Sequence, residues 1–254
     1  MEIGNDVRTG VPLPGIPIGR AGKVIEVGHP FVVVEFEDRR IGYYARRQLE
    51  LLPAAEAAPL ESDGGVDLGF SDTRIPSGSH LCLLPKSKSR ALGIGAQYLV
   101  AGLEAGDTCI CAAPAEWTAG LNKAMTKIGV DWQSAVASRD LVVLEDREVY
   151  LPGTAFTADK QLARTAAALM SFAASGKRAR YLAYLQTALK EIDMQQWWQY
   201  EFRATEMLNA AGTMAICSYD TRGWKTDQWK QAESVHPYVI KEGKLAMGGA
   251  PAGQ

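Results

Sequence analysis

The sequence is poor in the features that would sort it quickly. Four cysteines in 254 residues (Cys82, Cys109, Cys111 and Cys217) are too few for a disulfide scaffold, and none stands in a Cys-x-x-Cys pair. An excess of one charge is also missing. Lys plus Arg number 27 and Asp plus Glu 29, a formal net charge of -2, which excludes a surface built throughout to bind nucleic acid. No apolar run approaches the roughly 20 residues that span a bilayer. The N-terminus, Met-Glu-Ile-Gly-Asn-Asp, has acids where a signal peptide needs bases, and no apolar stretch follows it. The expectation is a cytoplasmic protein with reduced thiols and no membrane partner.

The familiar enzyme signatures are absent as well. A phosphate-binding loop needs Gly-x-x-x-x-Gly-Lys-Ser/Thr so that backbone N–H groups can cradle the anion. The candidate loop here, Pro85-Lys86-Ser87-Lys88-Ser89-Arg90, has no glycine. Gly176-Lys177-Arg178 lacks the glycine five positions earlier and ends a helical pattern where it should open one. Gly93-Ile94-Gly95 lacks the third glycine of a dinucleotide fingerprint. There is no His-Glu-x-x-His and no Gly-x-Ser-x-Gly elbow. What is present is ordinary for a folded domain. Hydrophobic residues make up 47% and charged residues 22%, which excludes a wholly disordered chain, a collagen and a coiled-coil rod.

Pattern divides the chain into five stretches. Residues 1–19, with Val-Pro-Leu-Pro-Gly-Ile-Pro, are too proline-rich for a helix or a central strand and read as an extended lead-in. Residues 20–53 read as a small all-β module, with strands at Gly22–Val27, Phe31–Phe36 and Ile41–Ala45 and a polar turn at Glu37-Asp38-Arg39-Arg40. The Gly-x-Val opening and the Val-x-Phe-x-Asp hairpin resemble SH3-like barrels of the KOW or Tudor type. Residues 54–73 are small, acidic and glycine-containing, a linker. Residues 74–244 alternate strand-like and helix-like runs, and residues 245–254 form a loose tail. Strands at His80–Leu84, Thr108–Ala113, Leu141–Leu144, Thr213–Tyr219 and Tyr238–Ile240 are separated by helix-like segments. The fold class is therefore α/β, a mainly parallel sheet with helices on both faces. Arg180–Tyr184 is ambiguous between strand and helix.

Soft donors concentrate in this α/β part. His80 and Cys82 share one face of a strand, as do Cys109 and Cys111. Cys217 lies on a later strand, and His236 precedes Pro237. Two histidines and two cysteines (His80, Cys82, Cys217 and His236) would make a tetrahedral zinc site if the fold gathered them. Cysteines on buried strands otherwise pack as small hydrophobes. Trp197-Trp198-x-Tyr200-Glu201-Phe202 is the densest aromatic stretch. Its helical spacing puts Trp197 and Glu201 on one face, either packed on the sheet or lining an apolar pocket with Glu201 as polar anchor. The pairs Arg39-Arg40 and Arg46-Arg47 could meet phosphates, but residues 1–53 carry seven basic and seven acidic residues, so this module has no net charge. Lys177-Arg178-x-Arg180 is a second small basic cluster.

The order of these motifs resembles the MEDS family, a sensory domain named for methanogens, methylotrophs and a dichloromethane-responsive regulator. The resemblance runs from His80-x-Cys82 through Ala101-Gly102-Leu103-Glu104-Ala105-Gly106-Asp107, Cys109 and Tyr200-Glu201. It continues into Cys217-Ser218-Tyr219-Asp220 and His236-Pro237-Tyr238. It implies a core similar to RecA and KaiC-type ATPases that has lost the phosphate loop. It also implies a signal-sensing role toward small organic ligands, in proteins that carry histidine kinase, DNA-binding or anti-sigma modules. Carried over by position, the sensing residues would be His80, Cys82, Tyr200, Glu201, Cys217, Tyr219 and His236. The chain departs from the family where a Gly-Glu pair is expected after the Arg-containing strand, since Arg180-Tyr181-Leu182-Ala183-Tyr184 contains no acid.

The resulting expectation is a non-enzymatic sensor or regulator, acting in transcription or a related output. It would bind a small ligand at the carboxyl ends of its strands and pass the signal to a protein partner or a second copy of itself. Three other readings remain: a metal or redox sensor using the His and Cys donors, with zinc as the metal; a degenerate nucleotide-binding protein; and a nucleic-acid-binding regulator acting through the β module.

Overall fold

Runs such as His-Leu-Cys-Leu-Leu, Thr-Cys-Ile-Cys-Ala and Met-Ala-Ile-Cys-Ser have no polar face, so they are stable as strands only when both faces are covered. The computed structural model describes residues 6–9, 21–27, 32–36, 41–44, 49–51, 65–153, 155–173, 177–185 and 188–248. In it those runs are strands β6 (His80–Leu84), β7 (Thr108–Ala112) and β10 (Met214–Ser218), buried at every position. They join β8 (Leu141–Leu144), β9 (Ala179–Tyr184), β11 (Tyr238–Lys241) and β12 (Lys244–Met247) in one sheet. Its order is β12-β11-β6-β10-β9-β7-β8. All neighbours run parallel except the β11–β12 hairpin. The α/β architecture is the one the sequence pattern predicts.

The two-residue period of the strands sorts their side chains onto two cores. Leu81, Leu83, Cys109, Cys111, Leu182 and Ile216 face one side. There they meet α1 (Lys88–Glu104), α2 (Ala115–Lys127) and α3 (Trp132–Ala137). Cys82, Leu84, Ala183, Ala215, Cys217 and Val239 face the other. That side is covered by α4 (Asp146–Tyr150), α5 (Ala158–Ala173), α6 (Met194–Ala211) and α7 (Thr226–Val235). Helix α1 lies unusually close to the sheet because Gly95 and Gly102, two turns apart, face it. A Cβ at Gly102 would sit 2.6 Å from Arg180 Cδ and 2.7 Å from Cys109 Sγ, and one at Gly95 would collide with Tyr184 Oη. Gly95 therefore serves helix–sheet packing, not a phosphate.

Several elements depart from the sequence reading. Arg180–Tyr184 is strand β9, since its alternate residues belong to opposite cores. Asp159 is predicted to cap its helix, but the cap is Thr157, whose Oγ1 accepts from Lys160 N at 3.4 Å. Asp159 instead pairs with Arg203 across α5 and α6. Lys244–Met247, partly within the stretch read as a tail, is a strand, because Glu242 and Gly243 both adopt positive φ and turn the chain back on β11. The stretch read as a linker is packed from residue 65 onward, where Val66 and Leu68 enter the core.

Arg180 anchors that packing. Its guanidinium is fully buried at the amino end of β9. It donates to Asp107 Oδ2 (2.6 Å), to the Asp67 carbonyl (2.7 Å) and to the Tyr98 carbonyl (3.2 Å). Arg178 donates to the other oxygen of Asp107 at 2.9 Å, and Lys177 reaches Asp140 at 2.8 Å. The Lys177-Arg178-x-Arg180 cluster is thus used within the fold. Among the described residues no helix is long and apolar enough to cross a membrane.

The N-terminal segment forms a second, antiparallel sheet in the order β4-β3-β2-β1-β5. It comprises β1 (Asp6–Thr9), β2 (Ala21–Val27), β3 (Val32–Phe36), β4 (Ile41–Tyr44) and β5 (Leu49–Leu51). It takes in Asp6–Thr9 from the proline-rich lead-in. Val34 and Phe36 are buried, and β4 runs against α6. Arg39-Arg40 and Arg46-Arg47 lie outside the described residues.

Removing one partner of a buried ion pair leaves a charge without compensation. Asp107→Ala is expected to destabilise the fold by about 3–5 kcal/mol. The check is the urea midpoint at unchanged m-value. A loss of under about 1 kcal/mol would mean that the Asp67 and Tyr98 carbonyls satisfy the guanidinium without Asp107.

Candidate metal centre

Beneath α6, one carboxylate is wholly buried. Helix α6 starts at Asp193, whose side chain accepts from Gln196 N, and ends at Gly212 in the left-handed conformation. Between these stops the helical period turns Trp197, Tyr200, Glu201, Ala204 and Leu208 toward the sheet. Four of these suit an apolar face. Glu201, with no exposure, does not, and its surroundings are correspondingly polar.

Three donors approach it from separate elements. His80 opens β6 and pairs in register with Ala215 of β10, so that Cys217, two residues on, stands diagonally across on the same face. His236 follows the last turn of α7, where Pro237 prevents further helix. Glu201 Oε2 lies 3.2 Å from His80 Nε2, 3.5 Å from His236 Nε2 and 3.9 Å from Cys217 Sγ. His80 Nε2 is 3.3 Å from Cys217 Sγ. All four donor atoms lie within 4.8 Å of one another. Tyr219 donates its hydroxyl to Glu201 Oε1 at 2.7 Å.

The outer hydrogen bonds determine which ring nitrogens carry protons. His236 Nδ1 is 2.7 Å from the Ala232 carbonyl oxygen, which can only accept, so Nδ1 holds the hydrogen. His236 Nε2 is buried and makes no hydrogen bond. His80 Nδ1 is 2.9 Å from Thr205 Oγ1. The single hydroxyl hydrogen of Thr205 has two carbonyls to serve, Val235 at 3.1 Å and Glu201 at 3.3 Å. Its oxygen therefore accepts from His80 Nδ1–H. Both imidazoles then aim an Nε2 lone pair at a carboxylate oxygen and a sulfur.

Such a cluster calls for positive charge. Burial drives the Glu201 carboxyl upward, and its interactions with the His236 and His80 rings outweigh this and hold it below the usual carboxylate range. Yet burial, together with the neighbouring His236, lowers the pKa of His80 and keeps its ring short of protons. Burial and the Glu201 charge push the Cys217 thiol up. A divalent cation at the centre resolves the conflict. With Cys217 as thiolate, Glu201 as carboxylate and two neutral rings, the charges sum to zero. Tetrahedral zinc, with bonds of about 2.0–2.3 Å, sets its donor atoms about 3.3–3.8 Å apart. The separations among the closest donors here, 3.2 to 3.9 Å, span that range.

The seven residues singled out in the sequence therefore divide. His80, Glu201, Cys217, Tyr219 and His236 converge. Cys82 is the register partner of Cys217 on the next strand, beside the cluster and outside the four donors. Tyr200 points elsewhere, bonding Thr165 Oγ1 at 3.2 Å and packing with Tyr150, Phe156 and Trp197. The cluster lies on the sheet face, level with the first residues of β6 and the last residues of β10. Sequence reasoning missed Thr205 and the Ala232 carbonyl. Each is four residues from a donor on the same helix or at its end, a spacing that carries no signal until the donor is known.

The other two cysteines face the opposite core. Burial pushes Cys109 and Cys111 up to about 12. Neither is expected to react with iodoacetamide at pH 8 in the native protein, whereas unfolding should expose both. Mass spectrometry of the labelled chain checks this, and native labelling of either thiol would contradict the burial described.

Comparison with protein-family models matches residues 79–237 to MEDS, the methanogen/methylotroph DcmR sensory domain. Comparison with curated proteins gives no match. Among solved structures, the crystal structure of a KaiC-like protein from the hyperthermophilic archaeon Pyrococcus horikoshii is similar, with a TM-score of 0.48 and 16% identity over 65% of this chain and 72% of that one. The family match takes in well over half of the 254 residues, with His80, Glu201, Cys217 and His236 inside it, and the chain belongs to the MEDS family of sensory domains.

Proposed function

We propose that this chain is a non-enzymatic sensor whose signal is read at a single zinc-type metal ion held by His80, Glu201, Cys217 and His236. Membership of a sensory family supports the role. One observation carries the chemistry: with both Nδ1 hydrogens committed to Thr205 and Ala232, two Nε2 lone pairs converge on a buried carboxylate and a sulfur. Second-shell bonds of this kind orient metal-binding histidines. Two imidazoles, one thiolate and one carboxylate form a borderline donor set, suited to Zn(II) and, in the laboratory, Co(II). Four protein donors in a buried site leave no open position for a substrate, so this reading gives the metal a structural and signalling role rather than a catalytic one.

The degenerate-nucleotide reading finds less support. Lys86 pairs with Glu242, Arg90 donates to the Glu242 carbonyl at 2.7 Å, and Lys88 lies over the Trp117 ring, so the basic residues of the β6–α1 loop are already engaged. Output would run through α6. It carries Glu201 and Thr205 on one face and lies against β4, so a change in how the metal holds α6 reaches the N-terminal sheet and whatever protein docks there.

The protein as purified is expected to carry one zinc per chain by elemental analysis, and EDTA should lower its melting temperature reversibly. Co(II) loading should give a thiolate-to-cobalt charge-transfer band that disappears in Cys217→Ser. Glu201→Gln and His236→Gln should weaken zinc binding at least about 100-fold, and Thr205→Val, which frees His80 Nδ1, about 10- to 100-fold. No retained metal, together with no response of stability to zinc or chelator in a folded protein, would sink the reading.

A further inference from the structure

Cys82 takes no part in the metal set, yet it stands against the one sulfur that does. Cys82 and Cys217 are direct Cα partners on the parallel strands β6 and β10, and both side chains belong to the core beneath α6. Neighbouring strands lie about 4.8 Å apart, inside the Cα separation that a disulfide bridges, about 4.4–6.8 Å. The two thiols are close enough for the charge of Cys82 to act on Cys217. Cys109 and Cys111 differ in this respect. They are two apart on a single strand, and each aligns with a non-cysteine neighbour: Leu141 and Arg180 for Cys109, Val143 and Leu182 for Cys111.

We propose that Cys82 and Cys217 form a reversible cross-strand disulfide that competes with the metal for Cys217. The competition rests on the metal reading above, whereas the cross-link itself does not. The chemistry needs a two-electron oxidant of the peroxide class. The Cys217 sulfur attacks one peroxide oxygen and the O–O bond breaks. The leaving hydroxide takes the Cys217 proton and departs as water, with Cys217 left as a sulfenic acid. Cys82 sulfur then attacks the Cys217 sulfur and the S–O bond breaks. The second hydroxide takes the Cys82 proton and leaves as a second water. Two thiols are oxidised to one disulfide, and one peroxide is reduced to two waters. Cys217 is the first to react because it alone keeps some exposure (5% against 0% for the other three). A bound cation blocks the first step by holding the Cys217 sulfur as a ligand. A disulfide removes one of four donors and releases the metal.

The test uses the full chain stripped with EDTA, exposed to hydrogen peroxide and digested with trypsin without reduction. Cys82 lies in the peptide Ile75–Lys86, Cys217 in Ala204–Arg222, and Cys109 and Cys111 together in Ala91–Lys123, so each pairing is distinct by mass. The expected product is the Ile75–Lys86 and Ala204–Arg222 peptides joined with the loss of two hydrogens. Dithiothreitol should reverse it, and Ala91–Lys123 should be unmodified. In Cys82→Ser, which retains all four metal donors, Cys217 should halt as a sulfenic acid that dimedone captures. Prior loading with zinc should slow the cross-link at least about tenfold. Absence of the joined peptides from the metal-free, folded protein would overturn the proposal and leave the metal reading standing. The joined peptides in a chain that binds no zinc would uphold the cross-link and refute the metal reading. A cross-link that forms equally fast in zinc-loaded protein, with zinc retained, would refute the competition.

Discussion

A carboxylate beneath a parallel sheet, with no path to water, has to be neutralised by what surrounds it. Glu201 is in that position, and much of the α6 face follows from it. Tyr219 turns its hydroxyl to Oε1. His80 and His236 bring their rings to Oε2, each held by a hydrogen bond on its far side. Thr205, one turn beyond Glu201 on the same helix, links the ring of His80 to the end of α7 through the Val235 carbonyl. One buried charge thus joins β6, β10, α6 and α7.

The opposite core has no such centre. It is apolar apart from the Arg180–Asp107 pair at its edge, and it is held by close packing of α1 on the strands at Gly95 and Gly102. The division suits a sensor. One face is a close-packed apolar core, and the other holds the polar cluster proposed to bind the metal. The N-terminal sheet meets the second kind of face, through α6.

The same cluster connects two chemistries that are usually considered separately. A thiolate that ligates a metal is protected from oxidants, and one that has lost its metal is exposed to them. With Cys82 in register beside Cys217, the proposed metal binding and oxidation would be alternative states of one sulfur. On that proposal, metal supply and redox poise together would decide between them.

Much of the fold was legible in the chain. Unbroken apolar runs at His80–Leu84, Thr108–Ala113 and Thr213–Tyr219, separated by helical periods, specify buried parallel strands, because nothing else covers both faces of such a run. The amphipathic period marked α6 well, and one residue misled for α5, where Thr157 rather than Asp159 holds the first turn. The alternation of His80 with Cys82 and the position of His236 before Pro237 could be read directly. The choice between Cys82 and Glu201 as fourth donor could not. It depends on the rotation and height of α6 over the sheet, which the packing of Trp197, Ala204 and Leu208 sets. It depends also on the register of β10 against β6, which places His80 beside Ala215 and so brings Cys217 within reach. Local sequence determined the strands, the helices and the donor types. Only tertiary packing decided which donors share a centre, because that choice is made by contacts between residues more than a hundred positions apart.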